Sequence, residues 1–155
     1  MSKSDQMSQS YVMSDDAVRF VTMIMAGQGV SNEDAAIIAE CLVEADLRGV
    51  QTHGLSRLPV YVERVQRGLV KAVPNMKLEK PVAACASLDG DNGFGFLVGR
   101  RAMQEAITMA DSCGVGVVAA RNSNHFGMAA TYLLQAVKAG YFAFVFTNAS
   151  KAMPP

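Results

Sequence analysis

The chain has 155 residues, half of them apolar, which is enough to bury the core of one compact domain. Its 14 basic residues balance its 14 acidic residues and form no cationic stripe, so nucleic acid is not an expected partner. The first residues are polar and the apolar runs are too short to cross a bilayer, so we expect a soluble, cytoplasmic protein without a membrane partner.

The three cysteines, Cys41, Cys85 and Cys113, are far apart in the sequence and show no Cys-x-x-Cys spacing. This pattern argues against a zinc site and against a disulfide framework. We expect each cysteine to be a small buried hydrophobic side chain. A catalytic thiol paired with a histidine stays an alternative, although no neighbouring residues suggest an activated thiol.

The first helix is predicted to follow a disordered tail over residues 1–13. Ser14 with the two following aspartates favours a helix start, and apolar residues recur at helical spacing until Gly27 or Gly29. This helix opens a predicted helical subdomain over residues 14–73.

Two more helices are predicted in this subdomain. A capping-box-like pattern at Ser31 starts the second helix, whose apolar periodicity runs to about Leu47. Ser56 is the predicted cap of the third helix, which places Pro59 in its first turn, and Gly68 ends it.

An internal boundary is predicted over residues 71–81, where Pro74 and Pro81 favour a linker or an edge strand. From residue 74 to the end we predict an incomplete α/β portion of the order β-α-β-α-β. Its predicted strands are 82–88, 115–121 and 141–148, its helices are Leu97–Ser112 and Met128–Ala139, and its loops are 89–95 and 122–127. The sequence stops soon after the third predicted strand, so we expect the chain to be truncated.

The glycine-rich segment between the first predicted strand and helix allows two interpretations. Gly93-x-Gly95 before a helix resembles a dinucleotide-binding turn, but the next glycine, Gly99, falls one place late. Asp89 and Asp91 would also set carboxylates near a pyrophosphate. We favour a tight turn in which Asp and Asn adopt left-handed or side-chain-bonded conformations.

Both histidines lie in predicted loops beside small or polar residues, in Thr52-His53-Gly54 and Asn124-His125-Phe126-Gly127. A loop imidazole can face a pocket, where its pKa suits proton transfer near neutral pH. A purely structural role remains the alternative for each. A metal site would need three or four ligands, and no further ligand shows suggestive spacing, so no metal is expected.

Arg57 and Tyr61, four residues apart, share one face of the third predicted helix close to His53, and Arg48 lies just before the same turn. A guanidinium there could hold a substrate carboxylate through two parallel hydrogen bonds. The alternative is an exposed arginine and a half-buried tyrosine.

Four segments, Ala45–Gly68, Leu88–Gly95, Arg121–Tyr132 and Phe146–Pro155, together resemble the malate/L-lactate dehydrogenase family. The resemblance implies hydride transfer between NAD or NADP and C2 of a small 2-oxo, 2-hydroxy or cyclic imino acid. It also implies an α/β fold with a helical N-terminal part and a mixed α/β layer that is not a Rossmann fold, and a homodimer. A non-catalytic fragment that acts at most as a dimerisation or interaction module is the alternative.

The resemblance also assigns residues. It implies catalytic roles for His53 and His125, which compete as proton donor, and we prefer His53 because it lies closest in sequence to Arg57 and Tyr61. It implies substrate binding and cofactor binding by two further sets of residues, respectively Arg48, Thr52, Arg57 and Tyr61, and Thr147, Asn148, Ala149 and Ser150. The family usually has serine at position 52 and often proline at position 151, where this chain has threonine and lysine.

Overall fold

The computed structural model describes residues 11–148 of the chain, and residues 1–10 and 149–155 lie outside this part. Most of the predicted tail is therefore outside it, and the last three tail residues, 11–13, form neither helix nor strand. The elements are α1 (Ser14–Ala26), α2 (Asn32–Leu47), α3 (Leu58–Gln66), β1 (Lys77–Val82), β2 (Cys85–Gly93), α4 (Gly95–Cys113), β3 (Val117–Ser123) and α5 (Ala130–Lys138).

The first two helices confirm the sequence prediction. The Asp34 N–H donates to Ser31 Oγ over 3.1 Å at the start of α2, because the first backbone N–H groups of a helix lack partners within it. Gly29 follows α1 with a φ of +87°, a conformation that glycine adopts without strain. Capping at Ser31 and a reversal at Gly29 thus place α1 and α2 side by side.

The predicted cap of the third helix is wrong. A 3₁₀ turn over Leu55–Arg57 precedes α3, and α3 begins at Leu58 with Pro59 in its first turn, as predicted. The 3₁₀ turn directs the Ser56 hydroxyl backwards, where it donates to the Gln51 carbonyl over 2.9 Å instead of accepting from the helix. No side chain caps α3.

The three strands form a mixed sheet in the order β1-β2-β3, with β1 antiparallel and β3 parallel to β2. β1 is the predicted edge strand, which tolerates Pro81. The predicted strand over 82–88 is wrong at its start, because Val82 ends β1 and a turn over 83–84 precedes β2. These two residues make a hairpin within what had looked like one apolar run.

The predicted loop over 89–95 is mostly part of β2, with an irregularity in its pairing between Asp89 and Gly93. Asp91 and Asn92 have φ values of +47° and +58° there, and the Asp91 N–H donates to Asp89 Oδ1 over 2.9 Å. These are the left-handed and side-chain-bonded conformations that the tight-turn interpretation predicted.

The predicted strand over 141–148 is wrong, since within residues 11–148 this segment pairs with no neighbouring strand. A strand forms only where its backbone N–H and C=O groups find partners on an adjacent chain. The period-two alternation is nevertheless present: Tyr141, Ala143 and Val145 pack against a helical cluster, while the alternate residues Phe142, Phe144 and Phe146 are exposed.

Two clusters of buried side chains hold the elements together. The larger one joins α1, α2 and α3 to the start of α4 through Phe94, Phe96 and Leu97. The smaller one joins the rest of α4 to α5 through Met103, Ile107, Tyr132 and Ala136. The helical part and the α/β part therefore share the larger cluster, and the predicted division between residues 73 and 74 stays a prediction.

The prediction that the cysteines are buried holds fully for Cys41 alone among the three. Cys41 is buried, and burial raises the pKa of its thiol to about 12, whereas Cys85 is half-buried and Cys113 is exposed. The prediction that all three are buried is wrong for Cys113, which lies in the last turn of α4. Within residues 11–148 no cluster of three metal-ligating side chains occurs, and no helix combines the length and apolar character needed to cross a bilayer.

Candidate active site

The first part of the site is the turn between α2 and α3, which Asp46 holds in place. The Leu55 N–H donates to Asp46 Oδ2 over 2.8 Å. A Cβ atom added to Gly54 would lie 1.9 Å from Asp46 Oδ1, so only glycine allows this approach. Asp46 has no role in the sequence prediction, and its only signal was an acidic residue one helical turn before a glycine-bounded loop.

Within this turn, Thr52 links the imidazole of His53 to Arg57. Thr52 Oγ1 lies 2.9 Å from His53 Nδ1, and Arg57 Nε donates to the Thr52 carbonyl over 2.7 Å. The Arg57 side chain is exposed, and its terminal nitrogens make no hydrogen bond or ion pair within residues 11–148. The guanidinium is therefore oriented through Nε and keeps its outer edge available for an anion.

The second part of the site is His125, which the fold brings against the first. The rings of His53 and His125 stack with centroids 5.4 Å apart and an interplanar angle of 24°. Tyr61 Oη lies 2.8 Å from His125 Nδ1, and the tyrosine ring packs edge-on against Phe96. Five of the predicted site residues thus meet in one place: Thr52, His53, Arg57, Tyr61 and His125.

Burial and positive charge set the protonation of this group. Burial raises the pKa of Tyr61 to about 12, so the phenol keeps its proton and can donate it to His125 Nδ1. Partial loss of water around the ring lowers the pKa of His125, and the charges of His53, Arg57 and Arg64 lower it further. When Tyr61 donates to Nδ1, the neutral form of His125 carries its own proton on Nε2, the nitrogen that faces away from Tyr61.

Arg64 and Asn124 are further members of this neighbourhood that had no predicted role. Arg64, one turn after Tyr61 on α3, donates from Nη2 to Asn124 Oδ1 over 2.9 Å. Asn124 directly precedes His125, and this position in the histidine motif was the only signal for it in the sequence.

Arg48 does not join the group. Arg48, which directly follows α2, is bound to Glu44 of that helix, with Nε and Nη2 each 3.3 Å from Glu44 Oε1, and within residues 11–148 it forms no hydrogen bond with either imidazole. Among the predicted cofactor residues, Thr147 and Asn148 are exposed, and Thr147 Oγ1 donates to the Asn148 carbonyl over 3.3 Å. Ala149 and Ser150, with Lys151, lie outside the described residues.

The glycine-rich segment does not form a phosphate-binding turn. A Cβ atom on Gly93 would lie 2.7 Å from Pro74 Cγ, and one on Gly95 would lie 2.2 Å from the Asn124 carbonyl oxygen. These glycines therefore permit close contact between parts of the chain itself and leave no open cradle for a pyrophosphate.

The candidate site is open at the surface of the described part of the chain, where Thr52, Arg57 and His125 are exposed. A separate cleft between α2, α4 and α5, lined by Glu44, Arg100 and Lys138 among others, includes neither histidine. The geometry therefore offers a cation and two imidazoles on an accessible surface, which suits the binding of a small anion and the transfer of a proton.

Comparison with known proteins identifies relatives that match most of the chain. A family model described as malate/L-lactate dehydrogenase matches residues 12–155. The chain is 40% identical over 141 residues to malate dehydrogenase from Pyrococcus abyssi, covering 91% of this chain and 39% of that protein. It is 43% identical over 127 residues to L-sulfolactate dehydrogenase from Methanocaldococcus jannaschii, covering 82% of this chain and 37% of the relative.

The fold is also similar to solved structures. The structure of malate dehydrogenase from Pyrococcus horikoshii superimposes with a TM-score of 0.80 at 40% identity, covering 85% of this chain and 40% of that one. The mixed α/β fold and its helical N-terminal part thus match those of a solved dehydrogenase, while this chain spans about two fifths of the length of such relatives.

Proposed function

Because the chain belongs to the malate/L-lactate dehydrogenase family, we propose that its protein moves a hydride between NAD or NADP and C2 of a small 2-oxo or 2-hydroxy acid. The relatives are named as dehydrogenases, which supports an oxidoreductase with a small-molecule substrate. The observation that carries the proposal is the stacked pair of imidazoles beside Tyr61 and a guanidinium with a free edge.

Arg57 is the proposed anchor of the substrate carboxylate. Its Nε is held by the Thr52 carbonyl, so the two terminal nitrogens are presented in a fixed plane. A planar fork of this kind matches a carboxylate through two parallel hydrogen bonds. The Thr52 hydroxyl lies beside His53 in the same site. Arg48 pairs with Glu44, and its proposed substrate-binding role rests on the family resemblance.

His53 is the proposed proton donor, and His125 the group that orients the substrate oxygen. An imidazolium is the donor that reduction of a 2-oxo acid requires, and the lowered pKa of His125 favours its neutral form near neutral pH. Neutral His125, with Tyr61 donating to Nδ1, presents an Nε2 N–H that can donate a hydrogen bond to the substrate oxygen. In the reverse direction, neutral His53 accepts the proton from the hydroxyl group.

The described residues that would hold a nicotinamide cofactor are Thr147 and Asn148. Both are exposed, and the Asn148 amide makes no side-chain hydrogen bond within residues 11–148, so donors and acceptors are available for a carboxamide or ribose. Ala149 and Ser150 complete the proposed set. When bound, the cofactor supplies the hydride, and the protein groups bind the acid and move the proton.

A non-catalytic interaction module is the second candidate for this chain taken alone. It is favoured by the exposure of Phe142, Phe144 and Phe146, at 83%, 69% and 86%, and by the 39% coverage of the malate dehydrogenase relative. A homodimer, cytoplasmic in location, is the proposed state of the intact protein. Sedimentation of the chain with and without NADH separates the two functions, because the module associates without binding the cofactor.

The proposed function is tested by a screen of 2-oxo acids with NADH and NADPH, followed by His53→Gln and His125→Gln in the intact protein. We expect His53→Gln to lower kcat by about a hundredfold or more, because general acid catalysis contributes on that order. His125→Gln is expected to raise KM and to lower kcat less. Wild-type turnover in His53→Gln together with lost turnover in His125→Gln would reverse the two roles.

A further inference from the structure

We propose that Arg64 and Asn124 are positioning residues that fix the His125 imidazole against Tyr61 and His53. The role of this pair in catalysis rests on the proposed function, whereas its role in placing the ring rests on the geometry alone. Neither residue needs to touch the substrate for this role.

Asn124 ties the chain after β3 to the end of β2. Its Nδ2 amide group donates to the Asn92 carbonyl over 3.1 Å, to Asn92 Oδ1 over 3.0 Å and to the Gly93 carbonyl over 3.0 Å. Its Oδ1 accepts from Arg64 Nη2 over 2.9 Å. One half-buried side chain therefore uses both its donor and acceptor groups to join three segments at the residue before His125.

Asn92 extends the network towards α3. Its Nδ2 donates to the Leu69 carbonyl over 3.2 Å, and its own carbonyl accepts from the Lys71 N–H over 3.0 Å. Helix α3 carries Tyr61 and Arg64. The segment that follows α3 is thereby bonded to Asn92, the same residue to which Asn124 is bonded. Both partners of the Tyr61–His125 hydrogen bond are therefore tied to Asn92 through neighbouring residues.

The backbone at His125 has little freedom to move on the other side. A Cβ atom on Gly95 would lie 2.5 Å from the His125 carbonyl oxygen, which shows that the first turn of α4 lies directly against it. The imidazole position is therefore set by the α4 backbone on one side and by the Asn124 amide on the other.

Arg64 adds a charge to this positioning. The titratable and charged groups that act on His125 are Tyr61, His53, Arg57 and Arg64. Partial burial is the main cause of the lowered pKa of His125, and the guanidinium of Arg64 lowers this pKa further while it holds the neighbouring amide. Loss of Arg64 should therefore change both the place and the protonation of the ring, which a purely structural arginine would not do.

The test compares Arg64→Met, Arg64→Lys, Asn124→Ala and Asn124→Asp in the intact protein. Arg67→Met is the matched control, because Arg67 directly follows the last residue of the same helix, pairs with Glu63 and is exposed. The first measurement is an NMR titration of the His125 imidazole, identified by its loss in His125→Gln. We expect Arg64→Met to raise the pKa of His125 towards its ordinary value, Arg64→Lys to raise it less, and Arg67→Met to leave it unchanged.

The second measurement is kcat and KM as functions of pH, with thermal unfolding recorded for each variant. We expect Arg64→Met and Asn124→Ala to lower kcat by about tenfold to a hundredfold, because small displacements of a reacting group have effects of this size, with a smaller change in KM. Asn124→Asp keeps the acceptor for Arg64 but loses the amide donors, so it should lower kcat. Arg64→Lys should retain more of the wild-type kcat than Arg64→Met.

Each outcome decides between the two proposals. An unchanged His125 titration in Asn124→Ala, which removes no charge, overturns the positioning role if the variant is folded. A shifted titration in Asn124→Ala, in a protein without activity towards any 2-oxo acid, upholds the positioning role and overturns the proposed function. Equal effects of Arg64→Met and Arg67→Met would assign the change to surface charge and would also overturn the positioning role.

Discussion

At the scale of single residues, Gly54 and Asp46 give the sharpest test of how the histidine turn is held. In Gly54→Ala the new methyl group meets the Asp46 carboxylate, which must move and so loses its hydrogen bond from the Leu55 N–H. A lost hydrogen bond to a charged acceptor that is partly buried corresponds to about 1.5–3 kcal/mol in the free energy of unfolding. We expect a loss of that size in urea unfolding, and reduced activity because His53 is displaced.

The double variant Asp46→Ala/Gly54→Ala identifies the cause of this loss. If the carboxylate is the obstacle, Gly54→Ala should cost little in the Asp46→Ala background, so the two changes are far from additive. Additive losses would instead assign the effect of Gly54→Ala to the backbone of the turn, and would contradict the role given to Asp46.

The sequence predicted the residues of the candidate site better than it predicted the contacts between them. His53, Arg57 and Tyr61 could be placed together because they are close in the chain and lie on a turn and the helix that follows it. His125 could be associated with them only through the family resemblance, since the Tyr61–His125 hydrogen bond joins residues 64 positions apart. No local pattern encodes a contact of that separation, and Arg64, whose partner Asn124 lies 60 positions away, was missed for the same reason.

At the scale of elements, the predicted helix cap Ser31 is confirmed and the predicted helix cap Ser56 is wrong. We expect Ser31→Ala to lower the free energy of unfolding by about 1 kcal/mol, because the Asp34 N–H loses its acceptor at the start of α2. Ser56→Ala should stay within about 0.5 kcal/mol of the wild type, as is usual for an exposed residue that does not cap a helix. Thermal or urea unfolding of the two variants checks this, and the reverse order of losses would reinstate Ser56 as the cap of α3.

Helices were predicted better than strands, for a physical reason. The hydrogen bonds of a helix are local, so the apolar spacing of α1, α2 and α4, together with the Ser31 cap of α2, specifies these helices within a few residues. A strand depends on a partner elsewhere in the chain, and the segment 141–148 has the alternation of a strand without a paired neighbour in the described part of the chain. The hairpin turn at 83–84 was missed because both residues are small and apolar and gave no turn signal.

At the scale of the whole molecule, alkaline pH should weaken the fold through buried groups that must stay protonated. Burial raises the pKa of Cys41 from 9.0 to about 12 and that of Tyr61 from 10.0 to about 12. Because the pKa of Cys41 is raised on folding, its contribution to stability is complete below pH 9.0 and is lost as the pH rises towards about 12. The free energy of unfolding should therefore fall with pH in this window.

The variant Cys41→Ala isolates one part of this pH dependence. We expect the free energy of unfolding to fall less steeply between pH 9 and 12 than in the wild type, whatever the loss at neutral pH from the smaller side chain. Cys113→Ala, at an exposed position, should keep the wild-type slope. Identical slopes for the wild type and Cys41→Ala in urea unfolding across this range would show that the thiol does not contribute.

The long sequence separation across the histidine pair also bears on how the protein folds. The contacts Tyr61–His125 and Arg64–Asn124 close loops of 64 and 60 positions, and they require β2, α4 and β3 to be in place before the two imidazoles can stack. Contacts of high sequence separation are entropically costly and tend to form late. During refolding, recovery of helical circular dichroism should therefore precede the appearance of the native NMR signals of the His53 and His125 imidazoles, which form their stacked pair only once these elements are in place.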